Sequence, residues 1–111
     1  MTLNEMIHES DRLSKLIDAG IKALVDASVE MAHAEHASRK AVARAWELAP
    51  KGTVPQREAW VESETADEQL ALDLAESKRY NALEAVRSRR AQLSALQSIM
   101  AAYRAEAELV H

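Results

Sequence analysis

The sequence predicts an all-α fold, a long antiparallel two-helix coiled-coil hairpin. Among its 111 residues there are only two Gly and two Pro, which are too few turn residues for a many-stranded fold. Both prolines lie in one short segment, and apolar residues on either side of it recur at the three- and four-residue steps of a helix face. Because a chain of this length makes at most one domain, residues 1–111 are predicted to form a single helical-hairpin domain.

The first helix is predicted over about residues 3–49. Thr2 can accept hydrogen bonds from the free N–H groups of its first turn, and Glu5 completes a capping box. The apolar stripe of this helix is predicted to comprise Leu13, Ile17, Ile21, Leu24, Met31, Val42 and Ala45.

The middle of the first helix is the expected weak point of the packing. Ser28, Glu35 and Ser38 fall where the stripe would continue. We therefore expect thin packing there, polar groups that face a partner, or a stripe that shifts to other residues. The residues available for such a shift are Val25, Val29 and Ala32.

The turn is predicted over about residues 50–54. Pro50 cannot continue the helical hydrogen-bond ladder, and Gly52 supplies flexibility. Thr53 is the expected N-cap of the next helix, with Gln56 at the capping-box position. Pro55 then lies in the first turn, where a missing N–H does no harm.

The second helix is predicted over about residues 55–109, with no internal Pro or Gly. From Leu72 it keeps a seven-residue repeat, which is typical of coiled coils. Arg79 and Arg89 interrupt this seam, so either the packing is imperfect or the arginines reach outward along their stems. The seam positions are Leu72, Arg79, Val86, Leu93, Met100 and Ala107, alternating with Ala75, Ala82, Arg89, Leu96, Tyr103 and Val110.

A turn near Gly52 also fixes which residues of the two helices pair. Equal rise in both helices makes the numbers of paired residues sum to roughly 105. The predicted neighbours are Leu24 with Leu83, Ile17 with Val86 or Arg90, and Met31 with Leu74.

The core of one hairpin is predicted to be thin, and this favours a homo-oligomer. Alanine is the commonest residue and Phe is absent, so few large side chains are available for burial. The simplest assembly is a dimer that pairs two hairpins into a four-helix bundle. Charge supports it, because residues 57–76 carry seven acids and one base (net −6), whereas residues 77–105 carry six bases and one acid (net +5).

Localisation is predicted from apolar runs and cysteine content. No apolar run approaches the ~20 residues that cross a bilayer, and Met1 to Asp11 lacks the pattern of a signal peptide. The absence of Cys excludes disulfides and thiolate chemistry. We expect a cytoplasmic protein with no membrane partner.

A metal site is one hypothesis for the first helix. Glu30 and His33 share a helix face at the Glu-x-x-His spacing that di-iron bundles use, and His36 lies within one turn. The alternative is that these side chains form an ordinary solvated face.

A nucleic-acid interface is the hypothesis for the basic half of the second helix. Its bases turn around the helix instead of forming one stripe, so the alternative is that they pair with an acidic segment or keep the protein soluble. The candidate residues are Lys78, Arg79, Arg87, Arg89, Arg90 and Arg104.

Trp46 and Trp60 flank the turn and are the candidate partner-binding residues. Exposed tryptophans would anchor a partner protein, whereas packed ones would form a small core around Pro50 and Pro55.

The sequence contains no recognisable catalytic motif, and two glycines cannot build a Gly-rich phosphate loop. We expect no enzyme activity and no cofactor.

The stretch from Asp67 to Glu76 and the run Ser88-Arg89-Arg90-Ala91 resemble small Ala/Arg-rich helical proteins of actinobacteria and their phages. The resemblance implies a phage origin. The heptad seam and the absence of a catalytic motif predict a helical interaction or scaffold protein that acts on an unidentified protein partner through coiled-coil surfaces. A nucleic-acid-associated accessory protein and a metal-binding bundle are the alternatives.

Overall fold

The computed structural model describes residues 1–110, and these form three helices without a strand. Helix α1 spans Leu3–Leu48, α2 spans Val54–Glu64 and α3 spans Ala66–Val110. Helices α1 and α3 pack against each other in a hairpin. The predicted all-α hairpin is confirmed.

Helix α1 begins with the capping box that the sequence predicts. The Glu5 amide donates to the Thr2 hydroxyl at 3.2 Å, and the Thr2 amide donates to the Glu5 carboxylate at 3.3 Å. The two bonds satisfy free donors of the first turn reciprocally. The helix ends at Leu48, one residue before the predicted boundary and two residues before Pro50.

Helix α2 also begins at its predicted cap. The Gln56 amide donates to the Thr53 hydroxyl, and the Thr53 amide donates to the Gln56 side chain at 3.0 Å. Pro55 lies in the first turn, where its missing N–H leaves no bond unmade.

The structure differs from the sequence prediction at Thr65, where the expected continuous second helix is interrupted. The Thr65 amide and hydroxyl both donate to the Val61 carbonyl, at 3.0 and 2.8 Å. A threonine hydroxyl that bonds the carbonyl four residues back bends a helix. At Thr65 φ is −109° and ψ is 13°, outside helical geometry, and α2 and α3 are therefore separate helices.

The packing divides the chain into two compact units, each built from both arms of the hairpin. The first, called here the terminal unit, comprises Met1–Leu24 and the segment that begins at Asn81. The second, called the turn unit, comprises Val25–Tyr80. The single-domain prediction did not anticipate this division.

The terminal unit contains an aliphatic cluster at one end and a close helix contact at the other. Leu3 and Leu93 pack against the cluster. A Cβ on buried Gly20 would lie 3.0 Å from a methyl carbon of Val86, so only a glycine allows this approach without a shift. The buried members of the cluster are Met6, Leu13, Leu96 and Met100.

The turn unit buries mainly small side chains, as the composition predicts. Two of its buried residues, Ser38 and Thr65, are polar. Such residues supply little apolar area, so the unit has a thin core. The buried apolar residues of this unit are Ala27, Ala45, Val61 and Ala75.

Burial confirms the predicted seam of the second helix from Leu72 to Met100, whereas its last positions, Tyr103, Ala107 and Val110, are exposed. Part of the α1 stripe is also wrong. Ile21 is exposed, and the residue beside it, Gly20, is buried instead. The alternative shift is wrong too, because Val25, Val29 and Ala32 are exposed. The stripe instead continues along the heptad through Ala27 and Ser38.

The predicted antiparallel register holds within each unit. In the turn unit Lys78 lies beside Glu30 and Arg57 beside Trp46. In the terminal unit Arg89 reaches the Leu16 carbonyl. Each of these pairs lies within about one turn of the register predicted from equal helix rise.

Candidate interaction surfaces

Apolar side chains stand exposed on α1 and on α3 in the turn unit. Leu70 and Leu74, one turn apart on α3, are 57% and 62% exposed. Val25 and Val29, one turn apart on α1, are each more than half exposed. Apolar side chains at this spacing form a continuous stripe along a helix, which is the pattern that a facing helix covers.

The segment that contains Leu70 and Leu74 is rich in carboxylates. Residues 57–76 carry seven acids against one base. Only Glu68 among these acids is turned partly inward, and the others are exposed. The exposed acids are Glu58, Glu62, Glu64, Asp67, Asp73 and Glu76.

Trp46 is half-buried and stacks on an arginine of α2. The Arg57 guanidinium lies 5.4 Å from the centre of the Trp46 ring, a cation–π distance. The same guanidinium donates to the Trp46 carbonyl at 3.3 Å, in the last turn of α1. A positive charge there stabilises the negative end of the helix dipole. Trp46 therefore joins α1 to α2 and is not free to anchor a partner by its whole ring.

Trp60 is also half-buried, but it borders two grooves of the turn unit. The smaller groove, of about 110 Å³, is lined by Pro50 and Gly52 as well as by Trp60. The larger groove, of about 200 Å³, is called here the Trp60 groove. Its lining residues are Ala41, Arg44, Ala45, Leu48, Trp60, Glu64, Thr65 and Glu68.

Glu68 carries an unmatched polar atom in the wall of the Trp60 groove. Its Oε2 is buried and accepts no hydrogen bond from residues 1–110. A buried acceptor without a partner costs about 1–3 kcal/mol, more for a charged group. Arg57 Nε is likewise a buried donor without a hydrogen-bond acceptor among residues 1–110. Positions of this kind mark sites where an external group can complete the hydrogen bonding.

The residues of the metal hypothesis do not form a ligand set. Glu30 accepts a hydrogen bond from Lys78 at 2.8 Å, and His33 and His36 are exposed. Within residues 1–110 no three His, Asp or Glu side chains gather in a way that could hold a metal ion. The bond to Glu30, and then the attraction of that carboxylate, raises the pKa of the Lys78 ammonium.

The six basic candidates for nucleic-acid binding are divided among several roles. Arg79 and Arg89 are half-buried, and each donates to a group of α1, respectively the Ser28 hydroxyl at 3.1 Å and the Leu16 carbonyl at 3.5 Å. Both arginines thus reach across the seam. The exposed members are Lys78, paired with Glu30, Arg87, paired with Glu84, and Arg90 and Arg104.

Sequence reasoning missed the Trp60 groove, although one signal was available. Glu68 lies one heptad before the seam residue Ala75, so its inward position follows from the same repeat. The sequence could not place Arg44 and Leu48 in the wall of this groove, because their positions depend on the register across the turn and on the interruption at Thr65.

No helix in the described part of the chain combines the length and hydropathy needed to cross a membrane. The chain matches no protein-family model, no curated protein and no solved structure in comparisons with known proteins.

Proposed function

We propose that this protein is a non-enzymatic helical interaction protein whose first partner is a second copy of itself. The observation that supports this proposal most directly is the exposed apolar stripe of Leu70 and Leu74 on α3. Fully burying a leucine side chain contributes about 1.5–3 kcal/mol, so covering the part of each leucine that is still exposed contributes about 1–2 kcal/mol. The valine pair on α1 supplies a second stripe of the same kind.

Charge favours a second copy over an unrelated partner. Residues 57–76 are net −6 and residues 77–105 are net +5, so two copies of this arm running antiparallel are complementary. Arg87, Arg90 and Arg104 are exposed and are the basic residues available for such pairing. Ion pairs at the solvent-exposed edge of such an interface fix its register more than they add affinity. The resulting assembly is a four-helix bundle, in which a twofold contact covers the same stripe on both copies.

Sedimentation equilibrium over a range of concentrations tests this function. The unchanged protein is expected to be a dimer at concentrations on the order of 10 μM. The double variant Leu70→Glu with Leu74→Glu is expected to be a monomer that retains its helical circular dichroism, because both residues are exposed.

Leu109→Glu with Val110→Glu is the matched control, since these residues are 88% and 82% exposed and lie outside the turn unit. It is expected to dimerise like the unchanged protein. A monomeric unchanged protein with ordinary thermal stability would refute the assembly, and equal weakening by both sets of substitutions would show that added charge alone is responsible.

A further inference from the structure

The Trp60 groove combines an apolar wall with acceptors that lack a partner. Leu48 and Trp60 supply the wall, and Leu48 is largely exposed. Glu64 and Glu68 bring two carboxylates to the same groove, and Glu68 Oε2 is buried without a hydrogen-bond donor among residues 1–110. An apolar, aromatic wall beside carboxylates fits a cation on an apolar stem, which is the chemistry of arginine and lysine side chains.

The size of the groove favours a single side chain. Its volume of about 200 Å³ is below the ~300–1,000 Å³ of pockets that hold drug-sized ligands. Arginine fits better than lysine, because a planar guanidinium stacks on an aromatic ring while it donates to carboxylates in a bidentate way. The same chain already contains one such pair, Arg57 over the Trp46 ring.

We propose that the Trp60 groove binds an arginine side chain from a basic helix of a partner protein. The guanidinium stacks on Trp60 and donates to the carboxylates of Glu64 and Glu68, and rotation of the Glu68 carboxylate about its terminal bond brings the buried, unpartnered Oε2 to this donor. The exposed carboxylates of the turn unit, such as Glu62 and Asp67, attract further basic residues of the same helix. This proposal rests on the role as an interaction protein but does not require self-association.

Arg44 is the internal competitor for the two carboxylates. It lines the groove, is exposed, and forms no ion pair with Glu64 or Glu68 in the described part of the chain. Its positive charge opposes an incoming guanidinium. Removing that charge is therefore expected to tighten binding of the partner arginine.

Trp60 fluorescence provides a direct readout. The chain has two tryptophans, so Trp46→Phe leaves Trp60 as the single reporter while keeping an aromatic ring beneath Arg57. The probe is a short alanine-based helical peptide with arginines one turn apart, and the control peptide has glutamine in place of each arginine. Binding is measured in the Leu70→Glu, Leu74→Glu background as well, so that failure of dimerisation and failure of the groove give different results.

The arginine peptide is expected to change Trp60 emission saturably, and the glutamine peptide is not. Glu68→Gln and Glu64→Gln are expected to weaken binding about tenfold each, the loss typical of a charge-assisted hydrogen bond. Glu58→Gln removes the same charge outside the groove and is expected to weaken binding less than twofold. Arg44→Gln is expected to tighten it.

Three results would overturn the proposal. Equal weakening by Glu58→Gln and Glu68→Gln would mean diffuse attraction to an acidic surface. Equal affinity for the two peptides would exclude recognition of the guanidinium. Weaker binding to Arg44→Gln would exclude competition for the carboxylates. Glu64 is exposed, so its variant decides the matter even if Glu68→Gln alters the fold.

Discussion

Arg79 Nε donates a hydrogen bond to the Ser28 hydroxyl at 3.1 Å, which links α3 to α1 inside the turn unit. Arg79 occupies a heptad seam position that elsewhere holds Leu72, Val86 and Leu93. Arg79 and Ser28 are both half-buried, so their hydrogen bond lies in a partly solvated part of the interface. At this seam position a hydrogen bond joins the two helices where an aliphatic side chain would otherwise pack.

Replacing Arg79 with leucine is expected to raise the free energy of unfolding by about 1 kcal/mol. A leucine fills the seam, and replacing a partly buried charged group by a packed apolar one is often neutral or stabilising. Ser28 is only half-buried, so losing this bond does not leave a fully buried residue without its Arg79 partner. Urea unfolding measures the change.

Arg39→Leu is the control, because its side chain is 82% exposed and a surface substitution changes stability by only about 0.5 kcal/mol. A loss of stability in Arg79→Leu would show that the bond to Ser28 matters more than packing.

The contact between Gly20 and Val86 gives a second prediction. Alanine in place of glycine favours a helix by about 1 kcal/mol. Here the added Cβ would lie 3.0 Å from Val86 Cγ2, and Val86 is 2% exposed with a stiff, β-branched side chain. Overpacking of this kind costs about 1–3 kcal/mol, so Gly20→Ala is expected to lower the free energy of unfolding by about 1 kcal/mol.

A double-mutant cycle checks the cause of that loss. Val86→Ala removes the methyl carbon that the new Cβ meets, and it should cost less in the Gly20→Ala background than in the unchanged protein. Additive effects of the two substitutions would show that the helices do not approach closely at Gly20.

The Gly20 contact also shows what the sequence could and could not predict. Both capping boxes, the turn and the seam of the second helix as far as Met100 followed from residue types at fixed spacing. The stripe of α1 was drawn through large residues such as Ile21, whereas the seam actually passes through Gly20, Ala27 and Ser38. Small residues are selected there by the close approach of another helix, and this is a tertiary constraint that hydropathy does not record. The interruption at Thr65 depends similarly on one side-chain hydrogen bond in a region without Pro or Gly.

The Lys78–Glu30 pair predicts a pH dependence at alkaline pH. The pKa of Lys78 in the folded protein is raised by its hydrogen bond to Glu30 and by the charge of that carboxylate. A raised pKa means that the folded state holds this proton more tightly than the unfolded state. The stabilisation is therefore fully present below the ordinary lysine pKa of about 10.4 and is lost as pH rises through the higher folded value.

Chemical denaturation at increasing alkaline pH measures this effect. The midpoint of the unchanged protein is expected to fall more steeply above about pH 10 than that of Lys78→Met, which lacks the titrating group. Because the pair is exposed, added salt should weaken the difference. Lys40→Met, which removes an exposed lysine of the same unit, serves as the control and should retain the steep fall.

Glu68 is expected to reduce the stability of the turn unit in the absence of a partner. It occupies a heptad seam position with a buried oxygen that has no hydrogen-bond donor in the described residues. Glu68→Leu removes that oxygen and continues the apolar seam between Val61 and Ala75, so it is expected to raise the free energy of unfolding by about 1–2 kcal/mol. Glu62→Leu, an exposed acid of α2, is expected to change it by less than about 0.5 kcal/mol.

A residue kept at a cost to folding is expected at a binding site, because stability there is exchanged for recognition. Glu68→Leu should therefore gain stability in thermal unfolding and lose binding of the arginine peptide in the same preparation. A destabilised Glu68→Leu variant would show that this carboxylate supports the fold, and the stability argument for an external arginine would then fail.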